Sequence, residues 1–333
     1  MNYADSPIFI IGSERSGTNL VRKRLTQSQS IYLGPSPAHF LKHLYYQQPY
    51  YNDLNKDTNF LKFLQQSIDL CVVHFSPWDI NWIAEDLLIE FSEQERSSIS
   101  VMHFMMNKYA AEHGYSGYIC KDNYLYEFAL DIERFLPNAK FIYLYRDPRD
   151  YVLSQLKRPE SINSVFRFSI LWSYEQTKSI MVANQLSKIG KCVFLGYEEF
   201  IENEEIKLIE LLSFMKVNRS KDSGYQDLVK EEIHDWKNIN SSTKKDNFNK
   251  FLNELSPRKI KNIERDCYLQ MNYLGYEPLF YDGKKNSKLI KFLDYLYSYF
   301  TYKFIFRKSK SQVIIHQHKV CSRVIVNYRS DKI

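Results

Sequence analysis

Pro7-Ile8-Phe9-Ile10-Ile11-Gly12-Ser13-Glu14-Arg15-Ser16-Gly17-Thr18-Asn19-Leu20-Val21-Arg22-Lys23-Arg24-Leu25 is the stretch that decides the fold. The apolar run Ile8 to Ile11 predicts a short buried strand, and Leu20, Val21 and Leu25, three to four residues apart, predict a helix. Between them lies a loop bracketed by Gly12 and Gly17, two of only ten glycines in 333 residues. A strand, a glycine-bracketed loop and a helix aim backbone N–H groups at an anion, and the helix dipole favours negative charge there.

The loop departs from the Walker A pattern G-x-x-x-x-G-K-[ST]. Thr18 and Asn19 stand where a nucleotide triphosphatase needs its lysine and its Mg²⁺-binding hydroxyl. A cation stands inside the loop instead, at Arg15. A second stretch, Lys140 to Leu156 (KFIYLYRDPRDYVLSQL), repeats the theme. Phe141 to Tyr145 predict a strand, Arg146 ends it, Pro148 suits the first turn of a helix, and Ser154 follows Arg146 by eight residues. A Walker B strand would carry an acid after the apolar run, whereas an arginine grips an anion directly. The competing reading of Arg146 is an ion pair with Asp147 or Asp150.

Together the two stretches resemble the 5′-phosphosulfate loop and the 3′-phosphate site of sulfotransferases, over roughly residues 7–280. The resemblance implies an α/β fold with a central, mainly parallel sheet flanked by helices, as in P-loop proteins, with strands near 8–11, 118–121, 141–145 and 192–195. It implies 3′-phosphoadenosine 5′-phosphosulfate (PAPS) as co-substrate, its bisphosphate (PAP) as product, and no metal. Ser13, Arg15, Ser16, Gly17, Thr18 and Asn19 are the implied 5′ cradle, with Arg146 and Ser154 on the 3′-phosphate and Tyr197 on the adenine. Lys244 and Lys245 fall where the family's basic loop covers the 3′-phosphate, although its glycine-rich form is absent; a solvated charge run is the other reading.

Lys121 ends the strand Gly117 to Lys121 and is implied, with Arg15, to stabilise the transferring group. Cytosolic relatives carry a histidine two residues after that lysine; here Asn123 stands there and cannot accept a proton. His39, on the Gly34-Pro35-Ser36-Pro37 loop, and Asp122 are the remaining candidate bases. A histidine titrates near pH 6.5 and an aspartate near 3.9 when unperturbed, so His39 is the expected base and Asp122 an orienting group. A histidine packing at a helix start is the plainer reading of His39.

The chain divides into residues 1–283, with a helical insertion at about 42–112, and an aromatic and basic extension, 284–333. Within the insertion Phe60, Leu61, Leu64, Ile68 and Cys71 recur at helical spacing, as do Ile83, Leu87 and Leu88. Leu125–Leu136 and 162–186 predict helices, and the polar stretch 216–249 predicts a long loop. Leu289 to Phe306 is crowded with Tyr, Phe and Leu between basic clusters, which suits either a helix in an anionic membrane interface or one docked on the domain. Two short strands are expected at 313–315 and 324–326.

A net charge of +6 is too small and dispersed for nucleic acid. Five scattered cysteines without a C-x-x-C pair predict neither a disulfide framework nor a zinc site. No apolar run reaches eighteen residues, and the first strand begins too early for a signal peptide, so a cytoplasmic location is expected. The expected activity is sulfuryl transfer to a hydroxyl or amine of a small-molecule or glycan acceptor, a carbohydrate or glycolipid above others. The alternatives are a P-loop kinase or NTPase, for which the lysine and Mg²⁺ ligands are lacking, and a non-catalytic nucleotide-binding protein on the same scaffold.

Overall fold

A computed structural model describes residues 6–73, 76–91, 95–158, 164–220 and 247–305. Lys244, Lys245, Cys321 and the segments 313–315 and 324–326 lie outside the described residues.

The described strands are β1 (Ile8–Ile11), β2 (Tyr32–Leu33), β3 (Gly117–Cys120), β4 (Lys140–Tyr145) and β5 (Cys192–Gly196). They form one parallel sheet in the order β2-β3-β1-β4-β5. All four residues of β1 are fully buried, as a central parallel strand covered on both faces requires. Ile8 pairs with Ile119 of β3 on one side and with Lys140 of β4 on the other. The chain runs outward to β2 and then returns past β1 to β4, so the sheet changes direction at β1. In such sheets the ligand site lies beyond the strands' carboxyl ends at that switch.

Phe9 and Ile11 of β1 face a large apolar cluster built with α2 (Phe40–Gln47), α3 (Asp57–Val72), α4 (Ala84–Glu90) and α5 (Ser98–Glu112). Ile8 and Ile10 face the opposite layer, where α1 (Thr18–Gln27), α9 (Tyr197–Glu202) and α10 (Glu204–Met215) pack. The alternation follows from the two-residue period of a strand. The aromatics of the helical insertion are largely core: Phe60, Phe63, Trp78 and Phe91 are buried.

A third cluster joins α7 (Pro148–Leu156), α8 (Val165–Lys188), α11 (Phe251–Glu254) and α12 (Pro257–Tyr273) around the fully buried Trp172. Ser256 and Pro257 open α12 as expected, and Ile260, Ile263, Cys267 and Met271 are its buried face. A buried ion-pair network ties these helices. Arg149 contacts Asp147 Oδ2 at 2.7 Å and Glu264 Oε1 at 3.0 Å, and Glu264 also accepts from the Leu279 and Phe280 amides. Removing one member of such a network costs about 3–5 kcal/mol, because its partner stays buried and charged.

One expectation needs correction. The predicted helix Leu125–Leu136 is a 3₁₀ turn (Leu125–Glu127) followed by α6 (Ala129–Phe135), with Phe128 between them at φ −115° and ψ −9°. Tyr197 opens α9 directly after β5. Tyr32–Leu33, outside the expected strands, pair with Gly117 and Tyr118 as an edge strand. The last described helix, α13 (Lys288–Ile305), follows the extended segment after α12.

Candidate active site

The five strands deliver their following loops to one edge of the sheet. β1 leads to the Gly12–Gly17 loop, β2 to the loop carrying His39, β3 to Lys121, Asp122 and Asn123, β4 to Arg146, and β5 to Tyr197.

The Gly12–Gly17 loop turns sharply, with Arg15 at φ 64° and Gly17 at φ 87°, both left-handed. Glycine is needed at 17 for a second reason: a Cβ there would lie 2.3 Å from ring carbons of Tyr197. Gly17 caps α1 without a side-chain bond, and no acid occupies the helix's first turn. An incoming anion therefore meets amide dipoles with no competing carboxylate in that turn. Ser13 Oγ accepts from Gln176 Nε2 at 2.8 Å, which fixes the loop to α8.

Arg15 and Arg146 come together. Arg146 Nη1 donates to the Arg15 carbonyl at 2.8 Å, Nη2 donates to the Asn247 carbonyl at 3.1 Å, and the guanidinium stacks 4.5 Å over the Tyr197 ring. Arg15 Nε donates to Ser154 Oγ at 3.0 Å, so Arg15, Arg146 and Ser154 form one cluster. Neither Asp147 nor Asp150 pairs with Arg146 in a hydrogen bond. Asp147 caps α7 and holds Arg149, while Asp150 accepts from the Asn249 and Phe251 amides at 2.6 and 3.1 Å. Tyr197 is buried between the loop and Arg146, and its hydroxyl accepts from Asn247 Nδ2 at 2.7 Å.

Two donors in this cluster, Arg146 Nε and Ser16 Oγ, are buried without a hydrogen-bond partner among the described residues, as is the acceptor Asn19 Oδ1. Native proteins rarely leave buried donors unmatched, and each costs about 1–3 kcal/mol. Orphaned donors beside two arginines and an uncapped helix start fit a polyanion with several phosphate-type oxygens.

Lys121 is buried, and its Nζ donates to Asn123 Oδ1 at 2.8 Å. Burial pulls its ammonium below the ordinary lysine range, against the opposing charges of Glu14 and Asp122. Asn123 Nδ2 in turn donates to Glu14 Oε1 at 2.8 Å, and Arg158 holds the other oxygen at 2.8 Å. Burial alone would raise the Glu14 carboxyl, but Arg158 and Lys121 keep it below its usual value. Asn123 thus links the lysine to the loop carboxylate.

His39 and Asp122, rival candidates in the sequence, are partners. His39 Nδ1 lies 2.7 Å from Asp122 Oδ1. Asp122 also accepts from the Asn123 amide at 2.7 Å and the Leu41 amide at 3.2 Å. Burial would raise its carboxyl, yet His39, Lys121 and the Asn123 amide hold it below the ordinary carboxylate value. An ionised carboxylate cannot donate, so the His39 Nδ1 proton points at Asp122, and Nε2 is the acceptor nitrogen of the neutral ring. The Asn123 amide lies farther from Nδ1, at 3.3 Å, and its shorter bond to Asp122 dominates. The loop bearing His39 is pinned from three sides. Arg22 donates to the Gly34 carbonyl, the Gly34 amide donates to Thr26 Oγ1 at 2.9 Å, and Trp78 Nε1 donates to the Ser36 carbonyl at 2.8 Å. His39 itself takes a left-handed φ of 53°.

Glu14, Glu175, Gln176 and Asn247 are site residues that sequence reasoning missed. Glu175 is buried on α8, and burial pushes its carboxyl up to about 7, with a hydrogen bond to Ser13 opposing and the Glu14 charge adding. Its Oε2 has no hydrogen-bond partner among the described residues. Nearby, Lys42 Nζ sits 3.3 Å over the Tyr124 ring and Tyr46 donates to Glu127 at 2.6 Å. A legible trace existed: Phe168, Trp172, Glu175, Gln176, Ser179 and Ala183 share the buried stripe of α8, so polar residues occupy core positions.

Residues 7–221, well over half of the chain, match the sulfotransferase family. A Caenorhabditis elegans relative described as "Putative protein-tyrosine sulfotransferase" is 25% identical over 166 residues, 48% of this chain and 63% of that protein. The match therefore spans less than two thirds of the relative's length. Two solved structures share the fold: the sulfotransferase domains of the Synechococcus PCC 7002 olefin synthase and of the curacin biosynthetic pathway. Their TM-scores are 0.58 and 0.56 at 14% and 17% identity, each covering 83% of this chain, with 97% and 100% of those chains covered.

Proposed function

Because the chain belongs to the sulfotransferase family, we propose that it moves a sulfuryl group from PAPS to an acceptor hydroxyl or amine. One observation carries the proposal: Arg15, Lys121 and Arg146 follow three adjacent strands, and Arg146 Nε and Ser16 Oγ beside them are buried and unmatched among the described residues. The Gly12–Gly17 loop amides, Ser16 and Arg15 would hold the 5′-phosphosulfate, and Arg146 with Ser154 the 3′-phosphate. The donor supplies an activated sulfuryl group on a phosphate leaving oxygen.

The chain's own residues do the rest. Lys121 and Arg15 oppose negative charge developing on the leaving oxygen; a preorganised donor of this kind contributes roughly 3–4 kcal/mol in well-measured cases. His39 Nε2 takes the acceptor's proton, and Asp122 fixes the ring's tautomer and balances the imidazolium charge. Asp122 has both oxygens occupied, which makes it an orienting group for His39.

On the acceptor side, the Glu127 and Glu175 carboxyls, which lie within electrostatic reach of one another beside Tyr124, suit a polyhydroxylated acceptor whose hydroxyls donate. A carbohydrate or glycolipid is accordingly the favoured class. A tyrosine side chain is the second reading, supported by the name of the Caenorhabditis elegans relative.

Incubation with ³⁵S-labelled PAPS in excess chelator, against cell-envelope glycans, phenols and tyrosine peptides, tests both. Label on a glycan is expected. Label on tyrosine peptides alone would select the second reading. Phosphoryl transfer from ATP that chelator abolishes, with no sulfuryl transfer, would overturn the proposal.

A further inference from the structure

Helix α13 meets the rest of the molecule with its polar edge. Lys291, Asp294 and Ser298 are spaced three and four residues apart on one side of it. Lys291 Nζ lies 2.5 Å from Asp266 Oδ1 on α12, Asp294 accepts from Ser164 Oγ at the start of α8, and Ser298 is buried. An ordinary surface helix does the reverse, burying its apolar stripe and wetting its charges. Here Leu289, Phe292, Leu293 and Tyr295 are 64, 57, 54 and 51% exposed. Contiguous apolar surface of this kind marks an interaction site.

Charge identifies the occupant. Residues 284–333 carry twelve Lys and Arg against two Asp and Glu, a net +10, which leaves −4 for residues 1–283. The whole positive excess of the chain thus sits in its last fifty residues. Lys284, Lys285 and Lys288 are exposed where the chain enters α13. An anionic surface repels the body of the molecule and attracts this segment. No helix among the described residues is long and apolar enough to cross a membrane. Tyr, Phe and Leu beside lysines is instead the composition of a helix lying in the headgroup layer.

We propose that α13 docks on an anionic lipid surface, its Leu and Phe side chains entering the headgroup layer and its flanking lysines meeting lipid phosphates. The body is then held at the membrane through α13 and its contacts with α12 and the start of α8. Binding is salt-sensitive, since lysine–lipid attraction fades beyond a Debye length.

Flotation of the full chain with phosphatidylcholine vesicles, with and without about one third phosphatidylserine, tests this. The chain is expected to float with the anionic vesicles alone and to be released by salt. Leu289→Ser/Phe292→Ser/Leu293→Ser should lose at least about tenfold in binding. Lys284→Gln/Lys285→Gln/Lys288→Gln should lose about a hundredfold, at roughly fivefold per lysine. Both variants alter exposed side chains and should melt with the unaltered chain. Failure of the unaltered chain to float, or a serine variant that floats equally well, overturns the proposal. So does a dimer that the serine variant dissociates with no vesicle binding by either, or binding that appears only after removal of residues 306–333. Sulfuryl transfer plays no part in the readout, so this result stands apart from the proposed activity.

Discussion

Both carboxylate oxygens of Asp122 are engaged, one by His39 Nδ1 and the Asn123 amide, the other by the Leu41 amide. This engagement supports the proposal that His39 is the proton acceptor, and Asn123 serves another contact in the same few residues. Asn123 ties Lys121 to Glu14, an arrangement that a base in its place would disturb. On the acceptor identified by the labelling screen, His39→Ala should lower kcat roughly a hundredfold or more, leave PAP affinity within about twofold, and remove the acidic limb of the pH–rate profile. Asp122→Asn should also lower kcat, by about 10²–10⁴-fold, because an amide can present its N–H to Nδ1 and select the wrong tautomer. A His39→Ala enzyme that keeps most of its kcat would assign the base elsewhere.

Helix α8 shows what a buried stripe can carry besides packing. Trp172 donates to the Arg146 carbonyl at 3.1 Å, Gln176 bridges Ser13 and the Tyr143 hydroxyl, and Glu175 lies between them in sequence with an unmatched oxygen. Glu175 holds its proton up to about 7 in the folded chain, against an ordinary value of 4.5. A raised acid binds protons more tightly when folded, so stability is full below the unfolded value and declines as pH rises through the folded one. The decline relative to Glu175→Gln should be on the order of 3 kcal/mol between about pH 4.5 and pH 7 in urea unfolding. A pH-independent difference between the two proteins would remove Glu175 from this role.

Elements with strong periodicity were legible in the chain: the strands at 8–11, 141–145 and 192–195 stand within a residue of where the apolar runs put them. Tyr32–Leu33 was not, because two residues carry no alternation and the pairing with β3 comes from tertiary contact. The break at Phe128 hid for a related reason, since nothing in its residue type stops a helix. At the site, cations at strand ends could be read from sequence, whereas the partners of His39 and Arg15 lie 83 and 139 residues away. Such pairings exist only once the sheet brings the loops to one edge.

Across the whole molecule, charge and topology act together. The body bears a net negative charge, yet its sheet gathers Arg15, Lys121 and Arg146 at one edge, so the proposed anionic ligand would be drawn by local placement and not by overall field. The proposed function requires this edge to grip two separate phosphate groups of one nucleotide. Calorimetric titration of the unaltered chain and of Arg146→Ala with PAP and with adenosine 5′-phosphate tests it most directly. Charge-assisted bonds contribute about 1.5–3 kcal/mol, so Arg146→Ala should weaken PAP by about ten- to a hundredfold and leave the 5′-phosphate nucleotide nearly unchanged. Equal weakening of both nucleotides, or no preference of the unaltered chain for PAP, would contradict it.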